Sequence, residues 1–285
     1  MIRKNTHKPI VVDLFSGCGG LSYGFEQAGF EVLMGIDSWG TALQTFAHNH
    51  PHAKIQEADV SKIKGADIKK AIGNKKVDVL VGGPPCQGFS LSGSRNFYDA
   101  RNRLYLDFIR LVSELQPRAF VIENVPGLAS LFGGQVKERI MEEFKKMGYT
   151  VCAQVLNASD YGVPQNRRRI IFVGLKGKKV FEFPEPTHFD QQGSGLTLGK
   201  KKVSVGDALS DLPLLKKEMG GEDIKYKKSA SNDYQKLMRK GSNTIHNHLV
   251  SKHTQQTVDI ISLVPEGGNY KDLPDHLIPS PINHF

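Results

Sequence analysis

The 285-residue sequence is informative first for what it lacks. No apolar run approaches the ~20 residues that a membrane-spanning helix needs. Residues 1–7 carry Arg3 and Lys4 and run straight into a strand-like segment, which leaves no room for a secretory leader. The expectation is a cytoplasmic protein without a membrane partner. Cysteine is scarce: Cys18, Cys86 and Cys152 are odd in number, far apart and outside any CxxC pair. That argues against a disulfide framework and against a zinc site. His246, His248 and His253 lie close together, but no carboxylate or cysteine completes a ligand set, so no metal is expected. Neither an HExxH pattern nor a phosphate-loop lysine is present. Acidic residues are in deficit, giving a formal charge of +9 and a pI near 9.3, a balance that suits a polyanionic partner.

What is present has the texture of an α/β protein. Strand-like runs occur at Pro9–Phe15, Glu31–Ile36, Val77–Gly82 and Ala119–Asn124. Helical patterns fall between them at Leu21–Ala28, closed by Gly29; at Thr41–His48, with Ser38 as a possible cap; and at Leu104–Leu115, stopped by Pro117. Gln135–Met147 is a further amphipathic helix. Near-continuous apolar strands alternating with helices imply a mostly parallel, Rossmann-like sheet covered on both faces. Val151–Leu156 and Arg169–Leu175 follow each other across a turn-rich loop and are expected to form an antiparallel edge. The texture changes after Leu175: residues 176–240 hold 14 Lys or Arg against 9 Asp or Glu and many breakers. The expected organisation is a cofactor-binding and catalytic domain over 1–175 and a basic, loop-rich connector over 176–285.

Two loops carry chemistry. Asp13-Leu14-Phe15-Ser16-Gly17-Cys18-Gly19-Gly20 closes the first strand and opens the first helix. Its glycines permit close backbone approach to a ligand, and the helix start offers free N–H groups. Asp37, ending the second strand, is placed to accept from two ribose hydroxyls, and Asp59 from an adenine amino group. Taken alone, each aspartate reads equally as a cap or a solvated loop residue; with the turn they point to an adenosine-containing cofactor. The absence of a phosphate-binding lysine favours one without phosphates. The second loop, Gly82-Gly83-Pro84-Pro85-Cys86-Gln87-Gly88-Phe89-Ser90, presents a single sulfur between rigid prolines and permissive glycines at the active edge of the sheet. That placement favours a nucleophile over a packing residue.

Pro84-Pro85-Cys86-Gln87 with Phe89-Ser90 resembles the catalytic loop of the DNA (cytosine-5) methyltransferases of restriction-modification systems. Asp13–Gly20 resembles that family's cofactor turn, Glu123-Asn124-Val125-Pro126-Gly127 its glutamate segment and Gln165-Asn166-Arg167-Arg168-Arg169 its arginine segment. The four blocks occur in the family's order across residues 9–175.

The resemblance implies the S-adenosylmethionine-dependent methyltransferase fold, with S-adenosyl-L-methionine as methyl donor, S-adenosyl-L-homocysteine as product and duplex DNA as partner. It implies catalytic roles for Cys86, Glu123, Arg167 and Arg169. The cofactor pocket would be lined by Phe15, Ser16, Gly17, Gly19, Gly20, Asp37, Ser38, Asp59, Val60, Gly83, Pro85 and Leu104. Gln87, Ser90, Arg95 and Arg101 would meet the DNA, the last two from a mobile loop over Leu91–Arg103. Family members often carry an aromatic ring where Ser38 stands; here Trp39 follows it. The family's target-recognition domain and last two catalytic-domain blocks do not appear, which implies either a second subunit supplying them or a missing C-terminal half. A tRNA cytosine methyltransferase of the same fold and an inactive DNA- or cofactor-binding subunit are the alternatives.

Overall fold

The structure is a computed structural model that describes residues 8–85, 103–190, 199–215 and 220–277. It divides into two compact units, Met1–Val203 and Ser204–Phe285.

In the first unit, β1 (Ile10–Leu14), β2 (Glu31–Asp37), β3 (Lys54–Glu57), β4 (Val79–Gly82) and β5 (Ala119–Asn124) pair in parallel. The helices α1 (Gly20–Gln27), α2 (Gly40–Asn49), α3 (Gly65–Ala71) and α4 (Arg103–Leu115) lie between them in sequence. A short α5 (Gly127–Ser130) and a longer α6 (Gln135–Lys146) follow β5 and lead into β6 (Tyr149–Asn157) and β7 (Arg168–Lys176). Sheet order is β3-β2-β1-β4-β5-β7-β6. The two late strands pair antiparallel as expected, but β7 inserts between β5 and β6, so β6 is the edge. β7 is the reversed strand, and its start therefore lies beside the end of β5.

All five residues of β1 are buried, which explains why it is apolar except at Asp13: both faces are covered. On one face Phe120 sits among Phe108, Phe144 and Tyr149, with ring centroids 6.3, 3.9 and 5.3 Å away. On the other, Val11, Val32, Leu43, Phe46, Val79 and Val81 form a smaller cluster. Gly82 is required by the strand pairing itself, since a Cβ there would stand 2.4 Å from the Leu14 carbonyl oxygen. Arg110 of α4 donates from Nη1 to the Ile63 carbonyl (2.8 Å) and from Nη2 to the Val60 carbonyl (3.1 Å), fixing the segment after β3. Ser38 does not cap α2: that helix starts after Trp39 with no side-chain cap, and Asp37 takes the Trp39 N–H instead.

The compact units part at Val203, later than the change of texture at Leu175. Residues 177–203 contain a two-residue parallel pair of their own, β8 (His188–Phe189) with β9 (Lys200–Lys201), and are tied to the rest of the first unit through Asp160. The Thr187 N–H bonds to the Asp160 carbonyl at 2.9 Å, and Lys202 Nζ lies 3.1 Å from the Asp160 carboxylate.

The second unit has more regular structure than a loop-rich connector suggests. It contains α7 (Val205–Leu209), an antiparallel pair of β10 (Gly220–Lys225) with β11 (Thr244–Leu249), α8 (Asp233–Met238) and α9 (Gln255–Ser262). Ser204, Asn232 and Thr254 cap the three helices by accepting backbone N–H bonds. His246 pairs with Asp223, and the His248 ring bonds to the Pro213 carbonyl, so each histidine has a local protein partner. No helix among the described residues is long and apolar enough to cross a membrane.

Candidate active site

The strand register gathers the chemistry at one end of the sheet. Leu14 pairs with both Ile36 and Gly82, and Gly82 pairs with Ile122. The segments that follow β1, β2 and β4 and the end of β5 therefore emerge side by side, as ligand sites do in open α/β sheets.

The turn after β1 is built from left-handed residues. Phe15, Gly17 and Gly19 have φ of 57°, 51° and 88°. Glycine adopts this region freely, whereas Phe15 does so at a strain cost of order 1–3 kcal/mol. Hydrogen bonds hold the turn. The Ser16 N–H donates to the Ile36 carbonyl (3.1 Å), and the Gly17 N–H donates to Asp37 Oδ2 (2.8 Å). Asp37 Oδ1 accepts the Trp39 N–H at 2.9 Å. A carboxylate offers about four acceptor directions, so Asp37 retains capacity for a ligand after these two bonds. Asp59 Oδ1 accepts from the Ser61 hydroxyl (2.7 Å) and the Ser61 N–H (3.0 Å), and these bonds hold its acid below the usual carboxylate range. Its Oδ2 has only Lys62, at 3.8 Å.

A cavity of about 380 Å³ opens beneath this turn, lined by Asp13, Phe15, Ser16, Gly20, Leu21, Gly83, Glu123 and Arg167. The hydroxyl of buried Ser16 has no hydrogen-bond partner among the described residues, a deficit that a polar ligand would remedy. With one arginine and no lysine among its described lining residues, the cavity is ill suited to a triphosphate. Its size and the Ser16 hydroxyl, with Asp37 holding the turn that lines it, fit an adenosine-type methyl donor. Asp13, at the root of the turn, is fully buried and accepts the Ser22 hydroxyl at 2.7 Å; burial pushes its acid up to about 7.

Glu123 ends the cavity on the β5 side. Its Oε1 accepts from Arg169 Nε (2.8 Å) and Arg167 Nη2 (3.2 Å). That pairing follows directly from the reversed β7. Oε2 faces Gly83, where a Cβ would lie 3.4 Å away. Buried Asn124 donates from Nδ2 to the Pro84 carbonyl (2.9 Å) and accepts the Val125 N–H (2.8 Å), bracing the proline loop against the glutamate segment.

Phe15, Ser16, Gly20, Gly83, Glu123 and Arg167, all singled out in the sequence, thus meet in one cavity. Gly17, Gly19 and Asp37 frame it through the turn, and Arg169 through Glu123. Asp59 stands two residues beyond β3. Val60 is buried in the core, Leu104 is half-buried near the start of α4, and Ser38 and Pro85 are exposed. Trp39 is 67% exposed beside Asp37. Cys86, Gln87, Ser90, Arg95 and Arg101 lie outside the described residues. Asp13, Leu21 and Asn124 were not singled out. Asp13 and Asn124 lay inside the quoted motif blocks without a role of their own, and Leu21 had no signal beyond following one.

Comparison with known proteins shows the family. Residues 10–274 match the family model described as C-5 cytosine-specific DNA methylase. The chain is 40% identical over 264 residues to the Type II methyltransferase M.DdeI of Desulfomicrobium norvegicum, covering 92% of this chain and 62% of that protein. It is 38% identical over 219 residues to M.AquIA of Picosynechococcus, covering 71% of this chain and 88% of that one. A solved structure described as a prophage-encoded DNA modification methyltransferase of E. coli superposes with a TM-score of 0.70 at 29% identity. That match covers 90% of this chain and 76% of the other. The chain spans about three-fifths of the length of M.DdeI. On the match across residues 10–274, it belongs to the C-5 cytosine-specific DNA methylase family.

Proposed function

We propose that this chain carries the cofactor-binding and catalytic portion of an enzyme that methylates carbon 5 of cytosine in duplex DNA, within a restriction-modification system. The observation that carries the reading is the single cavity lined both by the turn after β1 and by Glu123 and Arg167. A methyl donor and a base to be methylated must meet in such a space. Bound against Phe15, Ser16, Gly20, Asp37 and Asp59, S-adenosylmethionine supplies a sulfonium-activated methyl group.

The chain's own residues do the rest. Cytosine C5 is a poor nucleophile, so the Cys86 thiolate adds to C6 and forms an S–C6 bond. The displaced electron pair makes C5 electron-rich, while N3 takes a proton from Glu123. Arg167 and Arg169 occupy Oε1, which leaves Oε2 to face the base. Asn124 holds the Pro84 carbonyl two residues before the nucleophile. After methylation, loss of the C5 proton lets the sulfur leave and restores the ring. The ring faces are inaccessible in a duplex, so the base must swing out.

We place target recognition on a further polypeptide segment, either a continuation of this chain or a second subunit; the matches cover 62% of M.DdeI and 88% of M.AquIA. The test of the chemistry is a duplex carrying 5-fluorocytosine at the target, offered together with that further segment. Fluorine cannot leave as a proton does, so the wild type is expected to form a denaturant-resistant adduct and Cys86→Ala none. An equal adduct with Cys86→Ala overturns the nucleophile, and an adduct formed only on tRNA overturns the DNA substrate.

A further inference from the structure

We infer that His50 is a positioning residue for cofactor binding, acting through the Gly19 carbonyl rather than by touching the ligand; the inference rests on the cofactor reading above. His50 follows the last turn of α2, and its side chain is fully buried. Nε2 lies 3.1 Å from the Gly19 carbonyl oxygen. A carbonyl only accepts, so Nε2 carries the proton and donates it. The other ring nitrogen, Nδ1, stands 3.0 Å from Glu26 Oε2 on α1, an ion-pair contact without hydrogen-bond alignment. The ring is tilted against Phe46 with centroids 4.4 Å apart, and Tyr23 meets its edge at 6.5 Å.

The slot is tight from the turn's side as well. A Cβ at Gly19 would stand 2.5 Å from His50 Nε2 and 2.8 Å from Phe46. An imidazole buried between aromatic rings costs free energy unless its N–H is used. The bond to Gly19 is that use. The same carbonyl accepts the Tyr23 N–H at 2.9 Å, the first hydrogen bond of α1. Pinning it therefore orients the opening turn of α1, from which Gly20 and Leu21 line the cavity.

The turn needs such pins because Phe15, Gly17 and Gly19 all sit at positive φ. Asp37 secures the Gly17 N–H from one side and His50 the Gly19 carbonyl from the other. Neither Asp37 nor His50 is among the residues lining the cavity, so both act on it through the turn.

Three variants of the full chain separate positioning from plain stability. His50→Gln keeps an N–H donor of similar reach, His50→Leu fills the slot without one, and Ile140→Val trims the core on α6, away from the turn. Each is titrated with S-adenosylhomocysteine by calorimetry beside a thermal melt. We expect His50→Leu to bind about 10-fold more weakly. His50→Gln should stay within about 3-fold of wild type, and Ile140→Val should melt earlier with unchanged affinity. Wild-type affinity in His50→Leu overturns the inference. So does a loss in His50→Gln as large as in His50→Leu, or an equal loss in Ile140→Val. A folded wild-type chain that binds no S-adenosylhomocysteine overturns the cofactor reading itself, a result distinct from the others.

Discussion

The two units are stabilised by different physics. Met1–Val203 is organised around fully buried aromatic and branched side chains, among them Phe46, Phe108, Phe120, Phe144 and Phe172. Among the described residues, Ser204–Phe285 buries only Ile245 and Leu273 of its large apolar side chains, while Leu214 is 94% exposed and Leu237, Ile261 and Leu263 are more than half exposed. What the second unit buries instead is polar. Arg239 forks onto buried Asp211 and lies 3.7 Å from the Tyr226 ring, and Gln235 bonds to the Asp207 carbonyl (2.7 Å) and the Ser210 hydroxyl (3.0 Å). The first unit can hold a cavity open because apolar burial supplies stability from elsewhere. The second depends on a few polar contacts and leaves several large apolar side chains exposed.

That contrast can be broken at its strongest point. Phe120→Ala is expected to cost about 3–5 kcal/mol in urea unfolding, whereas Leu214→Ala should stay within about 0.5. Similar costs at the two positions would erase the distinction.

Asp13 sharpens it within the first unit. Burial holds its acid at about 7 in the folded state against an ordinary 3.8, so folding favours the protonated form. Its contribution is fully present below pH 4 and is lost as pH rises toward 7, because the unfolded chain ionises first. The loss is up to roughly 4 kcal/mol. Asp13→Asn should remove that slope in stability measured from pH 4 to 8, and an unchanged slope would place the titration elsewhere.

In the second unit, Asp211→Asn leaves the Arg239 guanidinium without its buried partner. The expected loss is about 3 kcal/mol, read as faster amide exchange in α8. Unchanged exchange there would mean that the polar network does not hold the unit.

The smallest expected effect concerns the ligand. Asp37→Ala and Asp59→Ala should each weaken S-adenosylhomocysteine binding by about 10- to 150-fold, a loss of roughly 1.5–3 kcal/mol. Unchanged affinity in both, with folding intact, would exclude this pocket.

Four of the five parallel strands were legible as largely apolar runs, and β5 matches its expected limits, Ala119–Asn124; β3, mostly exposed at the sheet edge, has no such run. The insertion of β7 between β5 and β6 was not legible, since an apolar hairpin fits the sheet by either strand. Nor was the pairing of Gly220–Lys225 with Thr244–Leu249, whose partners are separated by a helix. Four loop blocks revealed most of the site because glycine, proline and paired arginines at strand ends have few other uses. Asn124 and His50 escaped notice because their importance lies in contacts with Pro84 and Gly19, distant in sequence. Ser38 looked like a cap by position, but the neighbouring Asp37 carboxylate takes the N–H instead.

The central claim is that the cavity between the turn and Glu123 is where the methyl donor sits. Gly20 gives the cleanest handle on it. Gly20 lines the cavity, its backbone lies outside the left-handed region, and a Cβ there would meet nothing within 4 Å. Gly20→Phe should therefore fill the cavity without disturbing the fold. Calorimetric titration with S-adenosylhomocysteine is expected to show saturable binding to the wild type. In Gly20→Phe the affinity should fall at least about 100-fold, a cost of roughly 2.7 kcal/mol, with the melting temperature retained. Undiminished binding in Gly20→Phe would contradict the account.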